Sequence, residues 1–253
     1  MKITASIVTF NSADEIEKVL VSLLKHNLEM DNIYVVDNGS SDGTTEIVKK
    51  KFDGVNLIET GKNIGFGAGH NLALKSVQSD YHIFINPDII VEEGEIEKMA
   101  AYMESHKDVV VMTPKILNLD GTEQFVPKKR PKFKYIFAGR FEYKFKWCYK
   151  LRSEYTLRDV VINEPTEIDC CSGCFMFCRT SVLLDVNGFD ERYFLYFEDA
   201  DLTRELQKYG KAMYVPNCSV THAWHRDVTH SNKARKIALR SMFQYFRKWR
   251  GKK

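Results

Sequence analysis

Short apolar runs and longer amphipathic stretches take turns along the first 112 residues. The runs at 3–10, 33–36, 55–58, 82–85 and 109–112 are dense in β-branched and aromatic residues and too short for helices. Each predicts a strand. Between the first two, Ile16, Val19, Leu20, Leu23 and Leu24 recur at helical spacing, and Ser12 with Glu15 predicts a capping box at that helix's start. Further helices are expected at 44–51, from the glycine-rich residues 63–71 to about residue 77, and around Ile96, Met99, Ala100 and Met103. Alternation of this kind predicts a mostly parallel sheet with helices on both faces.

The pattern breaks at 118–165, which is polar, basic and aromatic with weak periodicity. It resumes with a strand expected at 168–177, a short helical piece at 182–185, a helix at 199–209, a strand at 212–215 and a helical tail from residue 232. No internal repeat is visible. The expected organisation is one domain over 1–230, with a nucleotide-binding half (1–112) and an acceptor half (113–230), followed by a basic C-terminal helix (231–253).

Composition narrows this little: 253 residues, 44% hydrophobic and 28% charged, fit a soluble α/β protein. No apolar run approaches the roughly 20 residues that span a bilayer. The first residues read as a strand and not as a cleaved leader, so a cytoplasmic protein is expected. Cys170, Cys171, Cys174 and Cys178 share one apolar segment without the two separated ligand pairs of a zinc site, which predicts reduced, buried thiols.

Charge changes the picture more. Residues 127–152 hold ten Lys/Arg against one acid, Glu142, and residues 231–253 hold nine and no acid. With +3 on the whole chain, the +18 of these two segments leaves −15 on the rest. Both segments interleave bases with aromatics such as Tyr135, Trp147, Phe243 and Trp249, a mixture that suits an anionic membrane surface or a nucleic acid.

Three acids stand at strand or helix ends. Asp37 closes the 33–36 run and precedes a turn of small polar residues in which Ser40 and Ser41 are placed to cap the next helix. Asn86-Pro87-Asp88 follows the 82–85 run and brings Asp88 to the same sheet edge, as a candidate ligand for a divalent metal on a diphosphate. Glu198, Asp199 and Asp201 follow Phe194, Tyr196 and Phe197, an apolar wall that would raise a carboxylate toward general-base strength. The glycines of 63–71 do not sit in the first βα turn, where a dinucleotide fingerprint belongs, and are expected to let backbone approach a nucleotide. His222, Trp224, His225 and Arg226 cluster at another strand end as candidate ligand contacts.

In chain order, Val8-Thr9-Phe10-Asn11, Asp37 through Thr44, Asn63 through Asn71, Asn86-Pro87-Asp88, Ser172-Gly173, Gly188-Phe189-Asp190 and Glu198-Asp199-Ala200-Asp201-Leu202 resemble the family 2 glycosyltransferases. The Asn-Pro-Asp form and the His222 region are most similar to the rhamnosyltransferase branch. The resemblance covers residues 3–222. It implies a GT-A fold, a Rossmann-like sheet flanked by helices, here with a basic, aromatic C-terminal helical extension. It also implies inverting transfer from a nucleotide-sugar donor, such as dTDP-rhamnose or a UDP-sugar, to a glycan or lipid-linked saccharide acceptor in cell-surface polysaccharide synthesis.

Residue by residue, it implies that Thr9, Asn11, Asp37, Gly39, Asn63, Gly65 and Asn86 bind the donor. Asp88 with His222 would hold Mg²⁺ or Mn²⁺. Asp199, with Glu198 beside it, would deprotonate the acceptor, and Gly173 and Trp224 would contact it. The family's Asp-x-Asp is Asn86-Pro87-Asp88 here, leaving one carboxylate for the metal. Under this resemblance the basic segments 127–152 and 231–253 would meet an anionic membrane surface on the inner face of the cell membrane, and no nucleic acid is expected. Two other readings compete. A metal-dependent sugar nucleotidyltransferase would want a Gly-rich, Lys/Arg-bearing phosphate loop near the N-terminus, which residues 6–11 lack. A nucleic-acid-binding protein leaves Asp37, Asp88 and Asp199 without a role.

Overall fold

The structure, a computed structural model, describes residues 1–26, 28–223 and 232–252. Its frame is one sheet in the order β3-β2-β1-β4-β9-β6-β10-β5. The strands are β1 (Ile3–Thr9), β2 (Ile33–Asp37), β3 (Asn56–Glu59), β4 (Tyr81–Ile85), β5 (Ile89–Val91), β6 (Val109–Leu117), β9 (Phe175–Arg179) and β10 (Lys211–His222). Two short strands, β7 (Glu123–Gln124) and β8 (Thr166–Glu167), pair β6 and β10 at the side. Pairing is parallel from β3 through β4 and again between β6 and β10. Strand β9 runs antiparallel between β4 and β6, so the sheet is mixed in its second half. Strand β6 crosses the 112/113 division, and the two halves share this one sheet.

Every central strand is buried on both faces, and alternate residues serve separate cores. Ile7, Val35, Ile83, Ile85 and Phe177 join one cluster with Ile16, Val19, Leu20 and Leu23 of α1 (Ala13–Leu24), Val48 of α2 (Thr44–Lys51), and Ile96, Met99 and Met103 of α4 (Glu95–Ser105). Val8, Val36, Phe84 and Met176 face the other way. They meet Ala73 and Leu74 of α3 (Phe66–Leu74), Val182 and Leu183 of α7 (Thr180–Asp185), and Leu202 and Leu206 of α8 (Glu198–Leu206). A fully buried strand reads as a continuous apolar run, which is why these runs were visible in the sequence.

The structure corrects several local expectations. Ser12 does stand at the start of α1, but its side chain makes no capping bond; its amide donates to Thr44 Oγ1 (2.9 Å). Ser40 and Ser41 do not cap α2 either. Asp42 does: its Oδ1 accepts from the Thr44 amide at 3.1 Å, while its Oδ2 accepts from the Ala13 amide at the start of α1. Of the strand expected at 168–177, only the end from Phe175 is strand. Residues 168–174 are buried loop, apolar because they run beneath a cleft. The weakly periodic 118–165 hides a hairpin of α5 (Phe133–Phe141) and α6 (Lys146–Thr156). Its periodicity is weak because few of its residues are buried, Tyr135, Ala138, Cys148, Ser153 and Tyr155 among them. The C-terminal helix α9 (Asn232–Lys248) packs back on α8 and is not a free extension. All six cysteines are buried thiols without a disulfide.

Candidate active site

Because β1, β2 and β4 are parallel, their carboxyl ends open on one edge. Thr9 stands opposite Asp37, and Ile7 opposite Ile85, so Thr9, Asp37 and Asn86 through Asp88 collect there. At the first of these ends the acid organises its own turn. Asp37 Oδ2 accepts from the amides of Gly39 (3.0 Å) and Ser40 (2.9 Å), and Oδ1 accepts from the Thr9 hydroxyl (3.2 Å). Asn11, held at φ 54°, ties this turn to the β1 end. Its amide donates to Ser40 Oγ and its Oδ1 accepts from the Ser41 amide. Thr9, Asn11, Asp37 and Gly39 thus form one connected cluster. Asn38 Nδ2 extends it to the Gly65 carbonyl (3.1 Å), and Asn63 Oδ1 accepts from the Gly65 amide (3.0 Å).

The glycines of 63–71 serve a different purpose from the one expected. A Cβ at Gly65, whose φ is +102°, would lie 2.7 Å from the Phe194 carbonyl oxygen, and one at Gly67 would lie 2.7 Å from Phe189 Cβ. Protein, not nucleotide, occupies the space that these glycines leave.

The second group of predicted residues meets in a cleft of about 660 Å³ lined by Asn86, Ser172, Gly173, Glu198, Asp199 and His222, with Phe66 and Tyr196 as apolar wall. Asp199 is half-buried at the first turn of α8. Its Oδ2 accepts from the Gly173 amide (3.2 Å) and its Oδ1 from the Ala200 amide (2.7 Å). Gly173 therefore orients the carboxylate. Glu198 beside it is only 6% exposed, and its Oε2 is buried with no hydrogen-bond partner. Burial, and after it the charge of Asp199, pushes the Glu198 carboxyl up to about 8. Burial thus favours the neutral form of Glu198, and the more exposed carboxyl of the pair is Asp199.

Asp88 Oδ1 lies 3.2 Å from His222 Nε2. Gln124 fixes the ring. Its Nε2 donates to the His222 carbonyl (3.0 Å) and to Asn118 Oδ1 (2.9 Å), which leaves its Oε1 facing His222 Nδ1 at 2.9 Å. An amide oxygen can only accept, so Nδ1 carries the proton, and in the neutral ring it is the lone-pair nitrogen that faces Asp88. Among the described residues no three His, Cys, Asp or Glu side chains come together as a fuller ligand set. Trp224, His225 and Arg226 lie outside the described residues.

The profile described as Glycosyl transferase family 2 matches residues 4–184. The chain belongs to glycosyl transferase family 2. It is 30% identical to rhamnosyltransferase WbbL of Escherichia coli (strain K12), over 94% of this chain and 90% of that protein. It is 28% identical to the N-acetylglucosaminyl-diphospho-decaprenol L-rhamnosyltransferase of Mycobacterium tuberculosis (strain ATCC 25618 / H37Rv), over 85% and 74%. Among solved structures, S. aureus TarS superposes with a TM-score of 0.60 at 21% identity, over 88% of this chain and 37% of that one. The mannosyltransferase PcManGT from Pyrobaculum calidifontis superposes at 0.65 and 15%, over 97% and 64%. These likenesses establish the GT-A fold for this family 2 glycosyltransferase.

What sequence reasoning missed in the transferase is how the acidic segment is held. Tyr196 (φ 71°) and Phe197 (φ 69°) stand in the left-handed region just before Glu198, a conformation that bulky residues keep only under restraint. The restraint comes from α9. Ser241 Oγ donates to the Leu195 carbonyl (2.8 Å), and Tyr245 packs on Phe197 with ring centroids 5.6 Å apart. Asp201, 1% exposed, takes Lys248 Nζ at 2.6 Å and Trp249 Nε1 at 2.7 Å. The tail whose bases and aromatics were expected at a membrane surface thus turns Lys248, Tyr245 and Trp249 inward. Arg152, at the end of the other basic segment, and Arg158 beyond it likewise line the cleft, paired with Glu142. Nothing in the sequence alone links Asp201 to Lys248 and Trp249.

Proposed function

We propose that this glycosyltransferase moves a sugar, with inversion, from a nucleotide-sugar donor to a hydroxyl of a lipid-linked saccharide during cell-surface polysaccharide synthesis. dTDP-rhamnose is the first donor to test, because the relatives with the longest matches are named rhamnosyltransferases, one of them for a diphospho-decaprenol compound. The observation that carries the reading is Asp199: the reachable carboxylate of its pair, oriented by two backbone amides, in the same cleft as Asn86 and His222.

In this reading the Thr9, Asn11, Asp37 and Gly39 cluster, with Asn63 and Gly65, receives the base and ribose, and Asn86 lines the passage to the sugar. Asp199 takes the acceptor proton as the hydroxyl attacks the anomeric carbon from the side opposite the diphosphate. Glu198, neutral and buried, keeps a second negative charge away from the base. Asp88 and His222 fit a divalent cation, Mg²⁺ or Mn²⁺. A lone-pair nitrogen and a carboxylate oxygen 3.2 Å apart need a proton or a cation between them, and both are ligand types that such ions take. When bound, such an ion neutralises charge on the departing diphosphate.

Thermal shifts with dTDP-rhamnose and UDP-sugars, with and without Mn²⁺, test the donor and the metal together. The expected result is a Mn²⁺-dependent rise in melting temperature that Asp88→Ala abolishes; a rise of equal size in EDTA or in that variant would overturn the metal assignment.

The acceptor reading places the protein at an anionic membrane surface. Phe133, Phe137, Phe145 and Trp147 of the α5–α6 hairpin and Phe243 of α9 are about half exposed or more among bases, and no helix of the described residues is long and apolar enough to cross a membrane. Flotation with phosphatidylglycerol vesicles at low salt should carry the protein up. A protein left at the bottom would remove this part of the proposal.

A further inference from the structure

The acceptor and donor cleft is not the molecule's only anion-seeking cavity. A second one, of about 430 Å³, opens between α8, α9 and residues 130–133, and its lining holds Arg130, Lys132, Arg204, Arg250 and Lys252 but no carboxylate. We propose that this pocket binds a phosphoryl group, at a site separate from the transfer site.

Three buried donors in it lack the partner that burial demands. Arg204 is 8% exposed, and its guanidinium meets the Lys252 carbonyl (2.7 Å), the face of Trp249 (4.0 Å to the ring centroid) and the Tyr245 hydroxyl, all of them neutral. Among the described residues no acid pairs with it; the neighbouring Asp201 is held by Lys248, and Glu205 by Lys208 and Lys248. Tyr245 is 1% exposed, and the group against its hydroxyl is Arg204, which can only donate, so the hydroxyl proton has no acceptor among the described residues. Arg130 leans toward Asp169 (3.6 Å) and Gln207 (3.2 Å) through Nη2, leaving its buried Nε without one. A buried charge without a counter-charge and a buried hydroxyl without an acceptor are both costly, so such groups are kept where a ligand completes them.

The ligand's class follows from the donors. They converge from α8, α9 and the 130–133 loop, so they suit a tetrahedral group with several acceptor oxygens better than a planar carboxylate. Five positive side chains favour a dianion or a diphosphate. The cavity exceeds a single phosphate and has an aromatic side, where Phe133 stacks on Phe246 with centroids 3.7 Å apart. A phosphoryl group carrying an apolar substituent therefore fits it. Arg204 follows Asp199 by five positions in one helix, a rise of about 7.5 Å, so the site lies beside the catalytic acid but behind the Phe197–Tyr245 layer.

The phosphoryl group could come free or on a lipid, and two probes separate these sources. Inorganic diphosphate is titrated calorimetrically in EDTA without nucleotide sugar, so neither metal-dependent binding nor transfer contributes. Phosphatidylglycerol vesicles, with phosphatidylcholine as reference, are tested by co-sedimentation. Tyr245→Phe with Arg250→Gln changes the pocket with little risk to folding, and Arg204→Met tests the buried charge. Arg235→Gln with Lys236→Gln removes charge from the exposed face of α9 as a control.

The expected result is binding of at least one probe, weakened tenfold or more by the pocket variants and less than twofold by the control. Diphosphate binding identifies a free ligand, and binding of anionic vesicles alone identifies a lipid-borne one. Binding of neither probe, or equal loss in pocket and control variants, overturns the proposal.

Discussion

The turn at Asp37 and the segment at Asp199 both present an acid to the same side of the sheet, but they are held in opposite ways. Asp37 is fixed by amides two and three residues ahead of it and by the neighbouring strand's Thr9, a partner that parallel pairing guarantees. The Asp199 segment carries two strained residues and is fixed from far away, by Ser241 and Lys248 of α9, by Trp249 just after it and by the 65–66 backbone against Phe194. A ligand-reading turn can thus be a local motif of the sheet. The catalytic segment is a tertiary construction whose geometry depends on residues that touch no substrate.

The largest stability effect expected from this contrast is at Lys248. Lys248→Met leaves Asp201 buried without its counter-charge, with only Tyr193 and Trp249 still donating to it, and breaking such a pair costs about 3–5 kcal/mol. Urea unfolding should show that loss. Donor affinity should change less than twofold while turnover falls, because the Asp37 turn does not depend on α9. A variant that binds donor poorly but transfers normally once saturated would break the comparison.

A smaller effect sharpens the local side. Beneath the β1 end, Ser6 Oγ joins His70 Nδ1 (2.7 Å) and His82 Nε2 (2.8 Å), and Thr4 Oγ1 reaches His82 Nδ1 (2.8 Å). Burial pushes His82 down to about 3 and His70 well below its ordinary value. The unfolded chain takes up protons as pH falls through about 6.5, and the folded chain does not. The stability these rings allow is therefore complete above about pH 6.5 and declines below it, by about 1.4 kcal/mol per pH unit for each ring, until the folded value is reached. His82→Gln should make the unfolding free energy fall less steeply between pH 6.5 and 4.5 than in the wild type. Identical slopes would show that His82 is already protonated in the fold.

The same division decides what could be read from the sequence. The strands, the α1, α2 and α4 faces, and the arrival of Asp37 and Asp88 at one sheet edge all follow from periodicity and parallel pairing, which are local rules. The filling of the Gly65 and Gly67 notches by Phe194 and Phe189 and the inward turn of Lys248 and Trp249 follow from contacts across tens to more than a hundred residues, for which periodicity carries no signal. Glu198 and Asp199 look alike as neighbours in a sequence. Only burial separates a neutral acid from a reachable base.

Donor binding and transfer, measured side by side on Asp199→Asn with dTDP-rhamnose or whichever nucleotide sugar stabilises the wild type, test the assignment of the base most directly. Loss of a general base costs about 10²–10⁴ in rate. The expected variant binds donor with unchanged affinity and turns over at least a hundredfold more slowly; near-normal turnover would contradict Asp199 as the base.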